Sequence, residues 1–111
     1  MVVEGENMLL EERLVNIINH YGCKHQSYKL EEECEELIKA IRDCIDYKEN
    51  HDVFEVAEEI ADVMVLIKQF QIKFSIPNKH IKNIMKYKAL RQEYRIKHEC
   101  DLLASQDDNK T

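Results

Sequence analysis

Apolar residues recur every three or four positions over four stretches of the chain, and each stretch predicts one amphipathic helix. The first stretch covers residues 8–21 and the second covers residues 27–47, with Gly22 as the stop signal that ends the first. The third covers residues 53–74, and the fourth begins at residue 79 and reaches residue 98 or somewhat beyond. Long helices joined by short links predict an all-α antiparallel bundle of about four helices.

Polar residues suited to capping stand near the start of each predicted helix. Asn7, Ser27 and Asn78 are expected to cap the first, second and fourth helices. Asp52 is expected to cap the third helix, and Glu55 three residues later completes the pattern of a capping box. These residues therefore fix the predicted helix starts.

The third helix contains a run, residues 63–67, that is apolar on every side of the helix. Such a helix is expected to be buried all round. A chain of 111 residues has little surface with which to bury it. The run therefore predicts that a second subunit covers this helix, in a homodimer or homotetramer.

The composition fits a single helical domain, predicted over residues 1–104, with a polar and disordered tail at residues 105–111. Two glycines, one proline and 34% charged residues favour long helices over sheets. A net charge of −6 argues against binding to a nucleic acid polymer, and the absence of a long apolar run argues against a membrane. Four cysteines without a Cys-x-x-Cys pair predict a reducing cytoplasmic setting.

Two pairs of carboxylates carry the candidate chemistry. Glu33 with Glu36 on the second helix, and Glu59 with Asp62 on the third, are each spaced three residues apart. On a helical wheel the two pairs take almost the same offsets from the apolar stripe, so antiparallel helices can present them to one cleft. Four such oxygen ligands suit a hard cation such as Mg²⁺. The alternative is a solvated acidic face, which spacing alone slightly favours.

The apolar stripe of the fourth helix is continued by polar and cationic residues at helical spacing. Cations on a core-facing stripe need an anionic partner, because burying an unpaired charge is costly. An anionic substrate is one such partner, whereas side chains that snorkel to water explain the stripe equally simply. Taken alone, the stripe favours snorkelling. The stripe consists of Ile81, Ile84 and Met85, and its polar continuation of Lys88, Gln92 and Arg95.

Taken together, these motifs give the chain a resemblance to the MazG-like nucleotide pyrophosphohydrolases, a family of the all-α nucleoside-triphosphate pyrophosphohydrolase superfamily. The family pattern is Glu-Glu-x-x-Glu, a spacer, Glu-x-x-Asp, and later Lys-x-x-x-Asn-x-x-Arg. The chain has a spacer of 22 residues and carries Gln in place of the Asn. The resemblance spans about residues 26–95. Its residues are Lys29-Leu30, Glu32-Glu33-Cys34-Glu35-Glu36, Glu59-Ile60-Ala61-Asp62, and Lys88, Gln92 and Arg95.

The resemblance implies hydrolysis of a nucleoside triphosphate, a deoxynucleotide included, to the monophosphate and pyrophosphate. It implies Mg²⁺ as the cofactor, with Mn²⁺ as a substitute. A relative that acts on phosphoribosyl-ATP shares the acidic motif, and a non-catalytic helical module that assembles with partners is the alternative from another class. The implied metal ligands are Glu33, Glu36, Glu59 and Asp62, and the implied catalytic residues are Glu32 as a base candidate and Lys88 and Arg95 as phosphate ligands.

Overall fold

The computed structural model describes residues 8–46 and 53–109, and these residues form four α-helices and no β-strand. The helices are α1 (Leu10–Tyr21), α2 (Cys23–Asp46), α3 (Val53–Lys73) and α4 (Asn78–Asn109). The predicted all-α fold is therefore confirmed. None of the helices in these ranges has the length and apolar character needed to cross a membrane.

The chain divides into two compact units, residues 1–75 and residues 76–111. In the first unit α1, α2 and α3 pack against one another, and the contact between α2 and α3 is the most extensive. Gln26 near the start of α2 contacts Gln69 near the end of α3, and Glu33 further along α2 lies beside Asp62. These contacts show that α2 and α3 run antiparallel. The second unit contains α4.

Gly22 alone joins α1 to α2. Its φ of +87° lies in the left-handed region that favours glycine, and its N–H donates to the carbonyl of Ile18. The carbonyl of Gly22 then accepts from the N–H of Gln26, so the second helix begins at once. The predicted link at residues 23–26 is wrong, and so is the expected cap at Ser27. The Ser27 hydroxyl instead donates to the carbonyl of Lys24, inside the helix.

Two other predicted helix starts shift by a residue or two. α1 begins after Leu9, whose backbone is extended and whose side chain forms no capping bond. Asn78 is the first residue of α4 rather than its cap, because the carbonyl of Pro77 accepts the first helical hydrogen bonds. The expected caps Asn7 and Asp52 lie outside the described residues.

The fourth helix is longer than the sequence pattern predicts. It continues past residue 98 to Asn109 and so includes residues 105–109 of the segment predicted to be a disordered tail. No glycine or proline occurs after Pro77, so nothing in the local sequence forces the helix to end. The predicted end of the helix depended on the polarity of the tail, and polar residues alone do not end a helix.

The apolar core of the first unit is small. Leu14 and Ile18 of α1, Ala40 of α2, and Val63 and Leu66 of α3 are its fully buried apolar residues in the described part of the chain. Leu14 and Ile18 belong to the stripe that predicted α1. The core therefore lies where α1 packs against the antiparallel pair of α2 and α3.

Many apolar side chains remain outside this core. In the run at residues 63–67, Val63 and Leu66 are buried, whereas Met64, Val65 and Ile67 are 50%, 37% and 48% exposed. The expectation that α3 is buried on every side is therefore not met within one chain. The stripe that predicted α2 is also exposed over its second half, at Ile38, Ile41 and Ile45.

Candidate metal centre

The buried contact between α2 and α3 contains polar as well as apolar side chains, and we call this contact the polar seam. On α2 the buried positions recur every seven residues, so they lie along one face of the helix. Two of the three buried residues on α2 and one of the three on α3 are polar. The buried residues of the seam are Gln26, Glu33 and Ala40 on α2 and Val63, Leu66 and Gln69 on α3.

At one end of the polar seam two buried amides satisfy each other. Gln26 and Gln69 are 4% and 2% exposed, and Nε2 of Gln26 donates to Oε1 of Gln69 over 2.9 Å. Oε1 of Gln26 lies 2.9 Å from Nδ1 of His25. Buried polar groups are tolerated when they are hydrogen-bonded in this way. This end of the seam is therefore structurally complete without a ligand.

Two helical turns further along α2, three carboxylates converge. Glu33, Glu59 and Asp62 each place one carboxylate oxygen within 4.8 Å of the oxygens of the other two. Glu33 is 9% exposed, Glu59 is half-buried and Asp62 is exposed, so the group extends from the seam to the solvent. For Glu33 the structure excludes a solvated acidic face, because its side chain is buried.

Electrostatics within this group are unfavourable to full ionisation. The pKa of Glu59 is raised above its ordinary value, first because burial penalises its charged form. The charges of Glu36, Asp62, Glu33 and Glu55 raise that pKa further. The group therefore stores like-charge repulsion in the absence of a cation.

Two oxygen atoms in the group have no hydrogen-bond partner among the described residues. They are Oε2 of Glu33 and Oε2 of Glu59, and both are buried. A buried carboxylate oxygen without a donor is costly, and a hard cation is a ligand that would satisfy it. Oxygens that share one Mg²⁺ lie about 3 to 4 Å apart. The observed upper limit of 4.8 Å between the three oxygens is close to that spacing.

The other oxygen of Glu33 is paired with a lysine. Nζ of Lys29 lies 3.3 Å from Oε1 of Glu33 and 3.5 Å from Oε2 of Glu32. The hydrogen bond and charge of Glu33, together with the charge of Glu32, raise the pKa of Lys29 above its ordinary value. Lys29 therefore carries a full positive charge at neutral pH, at the edge of the carboxylate group.

The structure brings together three of the four predicted metal ligands. Glu36 is exposed and lies outside the group of mutually close oxygens, although its charge acts on Glu59. The predicted base candidate Glu32 has a side chain that is 67% exposed and paired with Lys29. Lys88, Gln92 and Arg95 are exposed residues of α4, in the second unit.

Two features of the site were not predicted. The bond between Gln26 and Gln69 joins residues 43 positions apart, and no local pattern reveals such a pair. The contact of Lys29 with Glu33 has a signal in the sequence, because a cation and a carboxylate four residues apart are neighbours on a helix.

Comparison with known proteins assigns neither a family nor a function to the chain. No family model, no curated protein and no solved structure matches the chain. The residues of the chain and their geometry therefore remain as the guides to function.

Proposed function

We propose that the protein is a Mg²⁺-dependent nucleotide pyrophosphohydrolase, which cleaves a nucleoside triphosphate, a deoxynucleotide included, to the monophosphate and pyrophosphate. Glu33, Glu59 and Asp62 would bind the metal, and Glu36 is the fourth candidate ligand. Mn²⁺ would serve as a substitute, because it accepts the same oxygen ligands.

One observation carries the proposal: three carboxylates from two helices converge, and two of them have a buried oxygen without a hydrogen-bond partner in the described part of the chain. A helical protein that needs only to fold gains nothing from such a group, because crowded carboxylates repel one another and a buried carboxylate oxygen without a donor is costly. A divalent cation would remove the repulsion and satisfy both oxygens. Because Glu33 is buried in the seam and Asp62 is exposed, a bound cation would remain accessible to a substrate.

The remaining residues are assigned by the family resemblance. When bound, the metal would neutralise phosphate oxygens and lower the pKa of a coordinated water. Glu32 is the candidate that accepts a proton from the attacking water, and its exposed carboxylate is held by Lys29. Lys88 and Arg95 would hold the phosphate chain, and the guanidinium of Arg95 can do so in bidentate fashion.

The proposal includes a homodimer or homotetramer. Its support is the apolar surface that the chain leaves exposed on α2 and α3. A monomer rarely exposes a contiguous apolar surface of large side chains, and a second copy of the chain would bury it. The exposed apolar residues on the two helices include Ile38, Ile41, Ile45, Ile60, Met64 and Ile67.

The same exposed apolar surface favours one alternative, a non-catalytic helical module that assembles through α3. An assembly module has no use for a buried carboxylate group. Metal-dependent release of pyrophosphate therefore separates the two functions, whereas the oligomeric state alone does not. A preference for phosphoribosyl-ATP over nucleoside triphosphates would identify the related enzymatic alternative.

The decisive experiment incubates the protein with a panel of ribonucleotide and deoxynucleotide triphosphates, and with phosphoribosyl-ATP, in the presence of Mg²⁺. Pyrophosphate and orthophosphate are measured separately. We expect pyrophosphate as the product, and we expect chelation of the metal to stop its release.

A matched pair of variants tests the assignment of the site. Glu33→Gln removes a buried carboxylate of the group, whereas Glu35→Gln removes an exposed carboxylate of the same helix. We expect Glu33→Gln to lose nearly all activity and Glu35→Gln to retain it. Orthophosphate as the only product, or equal activity of the two variants, would contradict the proposal.

A further inference from the structure

Lys29 occupies an unusual position at the edge of the carboxylate group. It lies one helical turn before Glu33, and its Nζ contacts Oε1 of that buried residue. Its own side chain is 48% exposed, so the ammonium reaches the group from the solvent side. Lys29 thus supplies a positive charge at the place where the proposed metal would supply one.

A cation at this place has a clear role in the metal-free protein. Glu33 is buried beside Glu59 and Asp62, and an unpaired buried charge strongly destabilises a fold. The ammonium of Lys29 offsets part of that negative charge. It satisfies Oε1 of Glu33, whereas Oε2 has no hydrogen-bond partner among residues 8–46 and 53–109.

The contact between Lys29 and Glu33 is also suited to exchange. Its length of 3.3 Å exceeds the roughly 2.8 Å of a tight charge-assisted hydrogen bond. The lysine stem is flexible, and the ammonium is a compact point charge with no fixed bonding direction. The exposed carboxylate of Glu32 lies 3.5 Å away and offers the ammonium a second anionic partner. Lys29 can therefore leave Glu33 without losing all of its counter-charge.

A divalent cation and the ammonium cannot both interact with Glu33 at full strength. Two positive charges a few ångströms apart repel each other, most strongly where water is partly excluded. A divalent cation would also reach the buried oxygens that Lys29 leaves unsatisfied. The incoming metal therefore has the advantage in both charge and number of ligands.

We propose that Lys29 is a displaceable internal counter-ion, which neutralises Glu33 in the metal-free protein and is expelled from Glu33 when the divalent cation binds. This inference rests on the proposed metal site. Lys29 is a positioning residue in this role: it keeps Glu33 oriented in the seam until the metal arrives, and it raises the metal concentration needed for loading.

The test compares four proteins: the wild type, Lys29→Gln, Lys29→Arg and Lys24→Gln. Lys29→Gln removes the charge, and Lys29→Arg retains it. Lys24→Gln removes the same charge from an exposed position on the same helix, nine residues before Glu33. Each protein is melted in chelator and in a series of Mg²⁺ concentrations, and Mn²⁺ affinity is measured directly by electron paramagnetic resonance.

Lys29→Gln is expected to melt below the wild type in chelator, because Glu33 loses its counter-charge. Its melting temperature should then rise more steeply with Mg²⁺, and its Kd for Mn²⁺ should fall roughly three- to tenfold, since a competing cation is gone. Lys29→Arg and Lys24→Gln should bind Mn²⁺ much as the wild type does.

Each opposing outcome has a distinct meaning. A wild type that binds neither metal would overturn the proposed function, and this inference with it. If the wild type binds Mn²⁺ and Lys29→Gln binds it with equal affinity, the metal site stands and Lys29 is not a competitor. Weaker binding by Lys29→Gln would make Lys29 a support for the site rather than a displaceable ion.

A measurement on the wild type covers the case in which Lys29→Gln does not fold. The side-chain ammonium signal of Lys29 can be followed by nuclear magnetic resonance during a Mg²⁺ titration and assigned with Lys29→Arg. We expect this signal to shift with metal loading while that of Lys24 stays constant. A Lys29 signal that does not respond in a protein that binds Mg²⁺ would refute displacement.

Discussion

Asp62→Asn should change the stability of the protein in opposite directions with and without metal. The substitution removes one negative charge from the carboxylate group at nearly constant volume. In the metal-free protein this relieves repulsion with Glu33, whose nearest oxygen lies within 4.8 Å. In the presence of metal it removes a ligand. No ordinary surface charge has both effects.

The size of the metal-free effect follows from the geometry. Two unit charges about 5 Å apart repel by roughly 1 kcal/mol in water. Because Asp62 is exposed, the value for water is the appropriate one. For a domain of this size, about 1 kcal/mol raises the melting temperature by about 4 °C. Asp62→Asn should therefore melt a few degrees above the wild type in chelator.

The metal response has the opposite sign. A ligand present at about ten times its Kd stabilises the folded state by roughly 1.4 kcal/mol. The melting temperature of the wild type should then rise by about 6 °C in millimolar Mg²⁺. Asp62→Asn should gain less than half of that rise, and its hydrolytic activity should be nearly abolished.

The assay is a thermal melt of the wild type, Asp62→Asn and the control Asp43→Asn, each with chelator and with Mg²⁺. Asp43 is an exposed residue of α2 outside the carboxylate group, so its substitution should leave the metal response unchanged. An equal Mg²⁺ response in all three proteins would remove Asp62 from the site. A lower melting temperature for Asp62→Asn in chelator would refute the repulsion argument.

Three further predictions test the rest of the structure. Val65→Glu should convert a wild-type oligomer into folded monomers, whereas Leu10→Glu on α1 should not; light scattering that finds a wild-type monomer at micromolar concentration would contradict the oligomer. Gln69→Leu should destabilise the protein by about 1–3 kcal/mol because Gln26 loses its buried acceptor. The double variant with Gln26→Leu should recover most of that loss in denaturant unfolding, and strictly additive losses would show that the amides are not coupled. The raised pKa of Glu59 gives the metal-free fold a contribution to stability that is fully present below the ordinary glutamate pKa. The stabilisation contributed by protonated Glu59 should fall as the pH rises from the ordinary glutamate pKa through the raised value. Melts of Glu59→Gln across that pH range should lack this pH-dependent contribution.

The convergence of carboxylates could be predicted because it depends on local spacing. Glu59 and Asp62 are neighbours one turn apart on α3, and Glu33 lies on the face of α2 that packs against α3, so the contact between the two helices brings the three carboxylates together. Glu36 shares the motif but lies further round its helix, where the structure leaves it exposed. The spacing of the carboxylates along the two helices therefore predicts where the site lies, but not which of the four residues converge.

The rotation of α2 about its own axis could not be predicted from its sequence. The dominant apolar stripe predicts that Ile41 and Ile45 face the core, because apolar residues are normally the buried ones. The structure places Glu33 in the seam and leaves Ile41 and Ile45 exposed, roughly a quarter turn from the predicted orientation. The start of α2 is not predictable from the local sequence for a related reason. The residues around Gln26 are polar and predict a link. Gln26 is buried in a helix because its side chain bonds to Gln69, which lies on another helix.

The polar seam has a consequence for how α2 recognises α3. Apolar contacts are non-directional, so Val63 and Leu66 alone would accept several sliding positions of the neighbouring helix. The amide pair of Gln26 and Gln69 accepts only one, because a slide of one turn would leave two buried amides without partners. The bond between Gln26 and Gln69 therefore fixes the register of α2 against α3, two helical turns from Glu33. It selects the one pairing in which the carboxylates meet, so two neutral amides outside the carboxylate group determine how accurately the site is formed.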